Sequence, residues 1–259
     1  VIACVFTGPT LSPAEGRAEL DAVYLPPAAQ GDVYRAALER PRLIGIVDGY
    51  FECVPAVWHK EILWALTQGI RVYGSASMGA LRAAELTPFG MQGVGRIFEA
   101  YRDGVLEDDD EVAVTHGPAE TGFRPLSEAM VNIRHTLAAA VAAGVVRSST
   151  RLALERIAKR LFYPDRVYPL ILRRAADEQL PRVELEALRR WLPRGQVNQK
   201  RDDAVAMLRE MRQALAGPPP KRVTFRLARS ANWEAARRSM SRDAREALGA
   251  DPGRRRGVR

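Results

Sequence analysis

Leu43-Ile44-Gly45-Ile46-Val47-Asp48-Gly49-Tyr50 and Ile70-Arg71-Val72-Tyr73-Gly74-Ser75-Ala76-Ser77-Met78-Gly79-Ala80 decide the fold. Each opens with a short apolar run of strand length and ends in small polar residues that break it. Between them, Pro55 sits where a helix begins and Gly69 where it ends. After the second run, Ser77 to Leu86 reads as a helix stopped before Pro88. Upstream the alternation continues. VIACVF (1–6) runs into Thr7-Gly8-Pro9-Thr10, with helical composition around 13–21. Ala22-Val23-Tyr24-Leu25 is stopped by Pro26-Pro27, and a helix spans 31–39. Four β–α units with short links predict an α/β core built on a parallel, doubly wound sheet. Ligands of such sheets gather at the C-terminal ends of the strands. Those ends carry Thr7-Gly8-Pro9-Thr10, Asp48-Gly49-Tyr50 and Gly74-Ser75-Ala76-Ser77.

Residues 88–125 are Gly-rich and irregular. They hold the acidic run Glu107-Asp108-Asp109-Asp110-Glu111 and a short predicted strand, Val112-Ala113-Val114, that delivers His116. From 126 the apolar spacing turns helical: Met130, Ile133, Leu137 and Val141, then helices near 150–162, 167–179 and 183–192, then Ala204, Leu208, Met211 and Leu215. Gly217-Pro218-Pro219-Pro220 signals a linker. The expected division is an α/β core with the candidate site over 1–125, a mainly helical C-terminal portion over 126–216, and a Pro linker with a basic flexible tail over 217–259.

A chain of 259 residues, 47% hydrophobic and 27% charged, is globular rather than disordered. No apolar stretch approaches the roughly 18 residues of a membrane span, so no membrane role is expected. The N-terminus lacks the basic region of a signal peptide. Two cysteines, Cys4 and Cys53, exclude a disulfide framework and a four-cysteine zinc site. The expected location is cytoplasmic. The net charge of +8 is uneven: residues 147–259 carry +15 and residues 1–146 carry −7. The basic half suits an acidic partner or the acidic half itself. Its arginines are scattered through amphipathic helices with no aromatic-interleaved RNA motif, so nucleic acid is a disfavoured partner.

Ser77 opens a helix after a turn crowded with Ser75, Ala76, Met78 and Gly79, which has the logic of a nucleophile elbow. Backbone N–H groups at the helix start would face a developing oxyanion. The same residue reads equally as a helix cap, or as the lip of an anion site. A serine nucleophile needs a base, and the three histidines are His59, His116 and His135. His116 is favoured for its loop position, His59 is the reserve, and Asp48 or Asp110 would orient the imidazole. Lys60 is a further base if buried. Arg82 and Glu85 either pair on the Ser77 helix or present Arg82 to an anionic substrate. The run 107–111 could ligate Mg²⁺ but lacks an EF-hand spacing and a partner motif; it reads as a solvated turn, and no metal is expected. Cys53 would suit persulfide chemistry only as a thiolate.

Several of these motifs, in order, resemble the core of TfuA-like proteins. They are Gly8-Pro9-Thr10-Leu11-Ser12, Ile46 to Phe51, Val57 to Leu63, Gly74 to Leu86, Glu111 to Pro118 and Glu128 to Arg134. The resemblance covers about 1–216. The Ser-Met-Gly-Ala segment at Ser77 also resembles the nucleophile region of ClpP-type serine proteases. The TfuA-like resemblance implies partnership with a YcaO enzyme in ATP-dependent peptide backbone thioamidation. The ATP is used by YcaO, and no cofactor of this chain's own is expected. A sulfur-carrier protein and a precursor peptide or protein are the further partners implied. Joined to the Ser77 reading, this gives a serine hydrolysis of a carrier-protein thiocarboxylate, with Gly8, Thr10, Ser75, Met78, Gly79, Arg82, Glu85, Asn132 and Arg134 as candidate substrate-binding residues. A non-catalytic activator of YcaO and a free-standing serine hydrolase are the competing readings.

Overall fold

A computed structural model of the chain describes residues 2–50, 54–218, 223–228 and 230–249. Strands β1 (Ala3–Phe6), β2 (Val23–Leu25), β3 (Leu43–Ile46), β4 (Arg71–Ser75) and β5 (Gln92–Val94) form one sheet in the order β2-β1-β3-β4-β5, with every pair parallel. Successive side chains leave opposite faces of a strand. Cys4, Phe6, Ile44, Ile46 and Val72 pack under α2 (Asp32–Leu38), α3 (His59–Thr67) and α4 (Met78–Leu86). Ala3, Val5, Leu43, Val47 and Tyr73 pack under α10 (Gln199–Ala216) and with Leu11 and Leu20, which flank α1 (Pro13–Glu19). Burial on both faces is why these strands read as continuous apolar runs rather than alternating ones. The chain leaves β1 towards β2 on one side and returns to β3 on the other. That reversal opens a crevice at the C-terminal ends of β1 and β3.

Helices α6 (Met130–Ala142), α7 (Ser148–Arg160), α8 (Tyr168–Asp177) and α9 (Arg182–Gly195) bury a second core of their own, including Met130, Leu137, Leu154, Ile171 and Leu188. α10 does not belong to it. Its Ala204, Met207, Leu208 and Met211 return to the sheet, so the division expected at 126–216 is crossed by the chain.

Two expectations for 88–125 change. The segment contributes β5 and then α5 (Arg96–Arg102), which its glycines concealed. Val112-Ala113-Val114 is not a strand. Side chains meet backbone groups in and beside it instead: Lys200 Nζ donates to the Val112 carbonyl at 2.8 Å, and the Thr115 N–H donates to Ser127 Oγ at 2.8 Å.

The acidic run is a clamp between the two cores. Arg134 Nε and its terminal nitrogen donate to Glu111 at 2.9 and 2.8 Å, and Lys159 approaches Glu111 at 3.0 Å. Asp110 accepts from Lys159 and from buried Arg166. Burial opposes ionisation of Glu111 and Asp110, but these cations outweigh it and hold both carboxyls below their ordinary values. A depressed native pKa contributes stability above the unfolded value and loses it as pH falls through the native one. Wild type will therefore lose melting temperature steeply below the ordinary carboxylate range. Glu111→Gln, with on the order of 2 kcal/mol less stability at pH 7, will show a flatter acid limb. Equal slopes in thermal melts across pH 3–7 would refute the clamp.

The expected flexible tail is also different. Val223 and Phe225 pack on the first core, with Phe225 edge-on to Phe89 at 5.5 Å. Trp233, on α11 (Ala231–Gly249), is buried against Tyr34 and Trp58, each ring 6.0 Å away. Lys60 donates to Ser230 Oγ at 2.7 Å. Four apolar anchors, Val223, Phe225, Trp233 and Met240, outweigh the surrounding arginines.

Candidate active site

A cavity of about 230 Å³ lies at the C-terminal rim of the sheet, lined by Pro9, Asp48, Gly49, Tyr50, Ser77, Met78, the 112–116 segment and Tyr163. The strand ends supply its floor, the loop before α6 one wall, and the turn after α7 another.

Ser77 follows β4 through a strained turn. The Ser77 N–H donates to the Ser75 carbonyl at 2.7 Å, closing a three-residue turn around Ala76, whose φ is +66°. A γ-turn with positive φ is rare, and it costs about 1–3 kcal/mol for a residue with a Cβ. Ser77 is 8% exposed and occupies the N-cap position of α4, yet its hydroxyl makes no capping hydrogen bond. The cap reading therefore lacks its bond. Ser75 lies behind it, fully buried, with an unpartnered Oγ. The N–H groups of Met78 and Gly49 take no acceptor among the described residues, and both residues line the cavity. The Gly79 N–H is engaged, donating to the Val47 carbonyl at 3.2 Å.

His116 also lines the cavity. Its Nδ1 lies 2.8 Å from the Gly117 carbonyl, an acceptor only, which assigns a proton to Nδ1; in the neutral imidazole Nε2 then carries the lone pair. The imidazole is flanked by Tyr50 at 6.3 Å and Phe123 at 5.6 Å. A carbonyl thus orients it where a carboxylate was expected. Asp48 lines the cavity as well, but its carboxylate is engaged: it accepts from the Gly8 N–H at 2.8 Å, the Thr10 N–H at 3.0 Å and Thr10 Oγ1 at 2.6 Å. Asp110 is spent on Lys159 and Arg166.

The remaining candidates separate from the cavity. His59 Nε2 pairs with Glu85 at 2.7 Å, and Glu85 pairs with Arg82 at 2.8 Å. Glu85 is about 12 Å along α4 from Ser77 at a helical rise of about 1.5 Å per residue. Asn132 donates to Glu128 at 2.8 Å and Arg134 serves Glu111, so both hold the helical core in place. His135 is half-buried, and burial lowers its pKa. Asp108, Asp110 and Glu111 lie close enough to share a cation, but the Lys159 ammonium already sits among them. Cys53 lies outside the described residues.

Lys200 was not among the candidates. It is 3% exposed and anchors Val112, a cavity-lining residue. Burial depresses its pKa against the pull of Asp48 and Glu128. A lysine inside an amphipathic helix reads as solvated, and nothing in the sequence places it under the site.

The family model described as TfuA-like protein matches residues 48–167. That stretch is similar to TfuA-like proteins. It begins at Asp48 and contains every cavity-lining residue except Pro9. The TfuA-like stretch is narrower than the span over which the motifs resemble the family, omitting β1, β2, β3 and α10. No curated protein matches the chain. Among the described residues, no helix is long and apolar enough to cross a membrane.

Proposed function

We propose that the chain takes part, beside a YcaO enzyme, in ATP-dependent peptide backbone thioamidation, and that its own step releases sulfide from the C-terminal thiocarboxylate of a sulfur-carrier protein. The TfuA-like stretch supports the pathway. The observation that carries the chemistry is Ser77: nine-tenths buried, uncapped, held on a strained turn, and sharing a cavity with an imidazole whose Nε2 is free.

In the proposed step the Ser77 hydroxyl adds to the thiocarboxylate carbon, and His116 Nε2 takes its proton directly or through a water. The Met78 and Gly49 N–H groups receive the oxyanion, each donor worth a large share of the acceleration. The intermediate collapses by breaking the C–S bond, and His116 returns the proton to sulfur, so hydrosulfide departs. Water, deprotonated by the same imidazole, then cleaves the Ser77 ester to carboxylate. Asp48 holds the β1 loop that forms the far lip, and Lys200 holds the segment that ends in His116.

The test is sulfide release from a thiocarboxylated carrier protein with no YcaO present, by wild type and by Ser77→Ala. Release by wild type alone supports the reading. No release by either moves the chain to the role of a non-catalytic YcaO activator.

A further inference from the structure

A second hollow adjoins the Ser77 cavity. It has a volume of about 370 Å³, within the range of ligand pockets, and lies between edge strand β2 and helix α2. Its walls are mainly apolar: Phe6, Val23, Leu25, Pro27 and Ala36, with the buried Cys4 thiol at its floor. Tyr50 lines both this hollow and the cavity that holds Ser77 and His116, so the two adjoin at that residue.

The sheet edge supplies an independent observation. β2 is the terminal strand, with β1 as its only sheet neighbour, so its outer side offers backbone groups to an added strand. Val23, on that edge, is 43% exposed although apolar. Short apolar edge strands beside side-chain pockets recruit extended peptides by strand addition. Because β2 runs parallel to the other strands, a segment added parallel to it brings its C-terminal end to the rim where Ser77 sits.

We propose that this hollow is the subsite for the C-terminal tail of the polypeptide whose terminal acyl group reacts at Ser77. An apolar side chain of the tail sits between β2 and α2, and the last residues pass over Tyr50 into the reaction cavity. Three strand spacings separate β2 from β4, about 14 Å, which an extended chain covers in about four residues. The anchor therefore lies four or five residues before the reactive end. Arg35 and Asp32 pair with each other at the rim, which leaves Glu39 as the unpaired charge among the lining residues and disfavours an acidic anchor; the anchor's contribution is apolar. The chemistry at the tail's end rests on the Ser77 reading; seating of the tail does not.

The test separates the two. A fluorescein-labelled peptide carrying leucine about five positions before a C-terminal glycine carboxylate reports binding without any reaction. It is expected to bind wild type, and to bind Val23→Lys and Ala36→Trp at least about tenfold more weakly. The same peptide with serine in place of leucine is expected to bind wild type as weakly as the variants bind leucine. Val23 is exposed, so its substitution leaves the fold intact, and thermal melts check Ala36→Trp. Equal binding of the two peptides, or no effect of Val23→Lys, overturns the subsite. N-acetylglycine thiocarboxylate is too short to reach the hollow. Its hydrolysis by wild type, equal in both variants, reads the Ser77 chemistry alone, and its failure would sink that reading while the binding result still decides the subsite.

Discussion

A Ser77→Ala protein will release sulfide from a thiocarboxylated carrier at least about 10³-fold more slowly than wild type, with its melting temperature unchanged within error. The stability half of that result follows from the missing cap. Serine caps are worth about 1 kcal/mol when their oxygen accepts from the first turn, and Ser77 makes no such bond. The residue is 8% exposed and follows a strained turn, and its hydroxyl makes no capping bond to justify that position. A residue that costs the fold something and is not used by the fold is a candidate for chemistry. Residual release by the variant reports water attack aided by the Met78 and Gly49 N–H groups alone. A variant that melts lower and hydrolyses normally would return Ser77 to the scaffold.

Gly79→Ala will fail to reach the native state, or will reach it about 3 kcal/mol or more less stable. A Cβ at Gly79 would stand 1.7 Å from the Ile46 carbonyl oxygen, and one at Gly74 would stand 2.1 Å from the Gly79 carbonyl oxygen. Both obstacles are backbone, so no rotamer relieves them. α4 would have to lift off β3 and β4, and it carries the Ser77 N-terminus with it. Urea unfolding measures the loss. A midpoint within error of wild type would mean that α4 is not seated as closely as described. The two substitutions lie two positions apart and act oppositely: one removes chemistry from an intact fold, the other removes the fold from intact chemistry.

β1 to β4 were legible because double-sided burial writes each as an apolar run closed by Gly, Pro or Ser. β5 was not, since Gln92-Gly93-Val94 offers one apolar residue and acquires its strand conformation from β4. That Asp48 and Ser77 lie at one rim followed from strand ends; His116 reaches the same cavity on a loop that no strand delivers. Which of the three touch did not follow. Asp48 was free in the sequence to serve His116, and only the fold reveals that Gly8 and Thr10 claim it. His59 and Glu85 sit on neighbouring helices whose packing sets their contact, which no spacing within either helix encodes. The Arg-rich tail misled for a related reason: composition averages over residues, whereas docking depends on a few, and Trp233 is one of them.

The burial of Trp233 has an optical consequence. Of the chain's four tryptophans, Trp58, Trp64 and Trp233 share one aromatic cluster with Tyr34, while Trp191 stands in the second core. Intrinsic fluorescence is therefore weighted towards the seating of α11, and a Trp191→Phe protein would make it report that event alone. Any ligand or partner that lifts the C-terminal helix from α2 and α3 will announce itself as a red shift, without a dye and without touching the site.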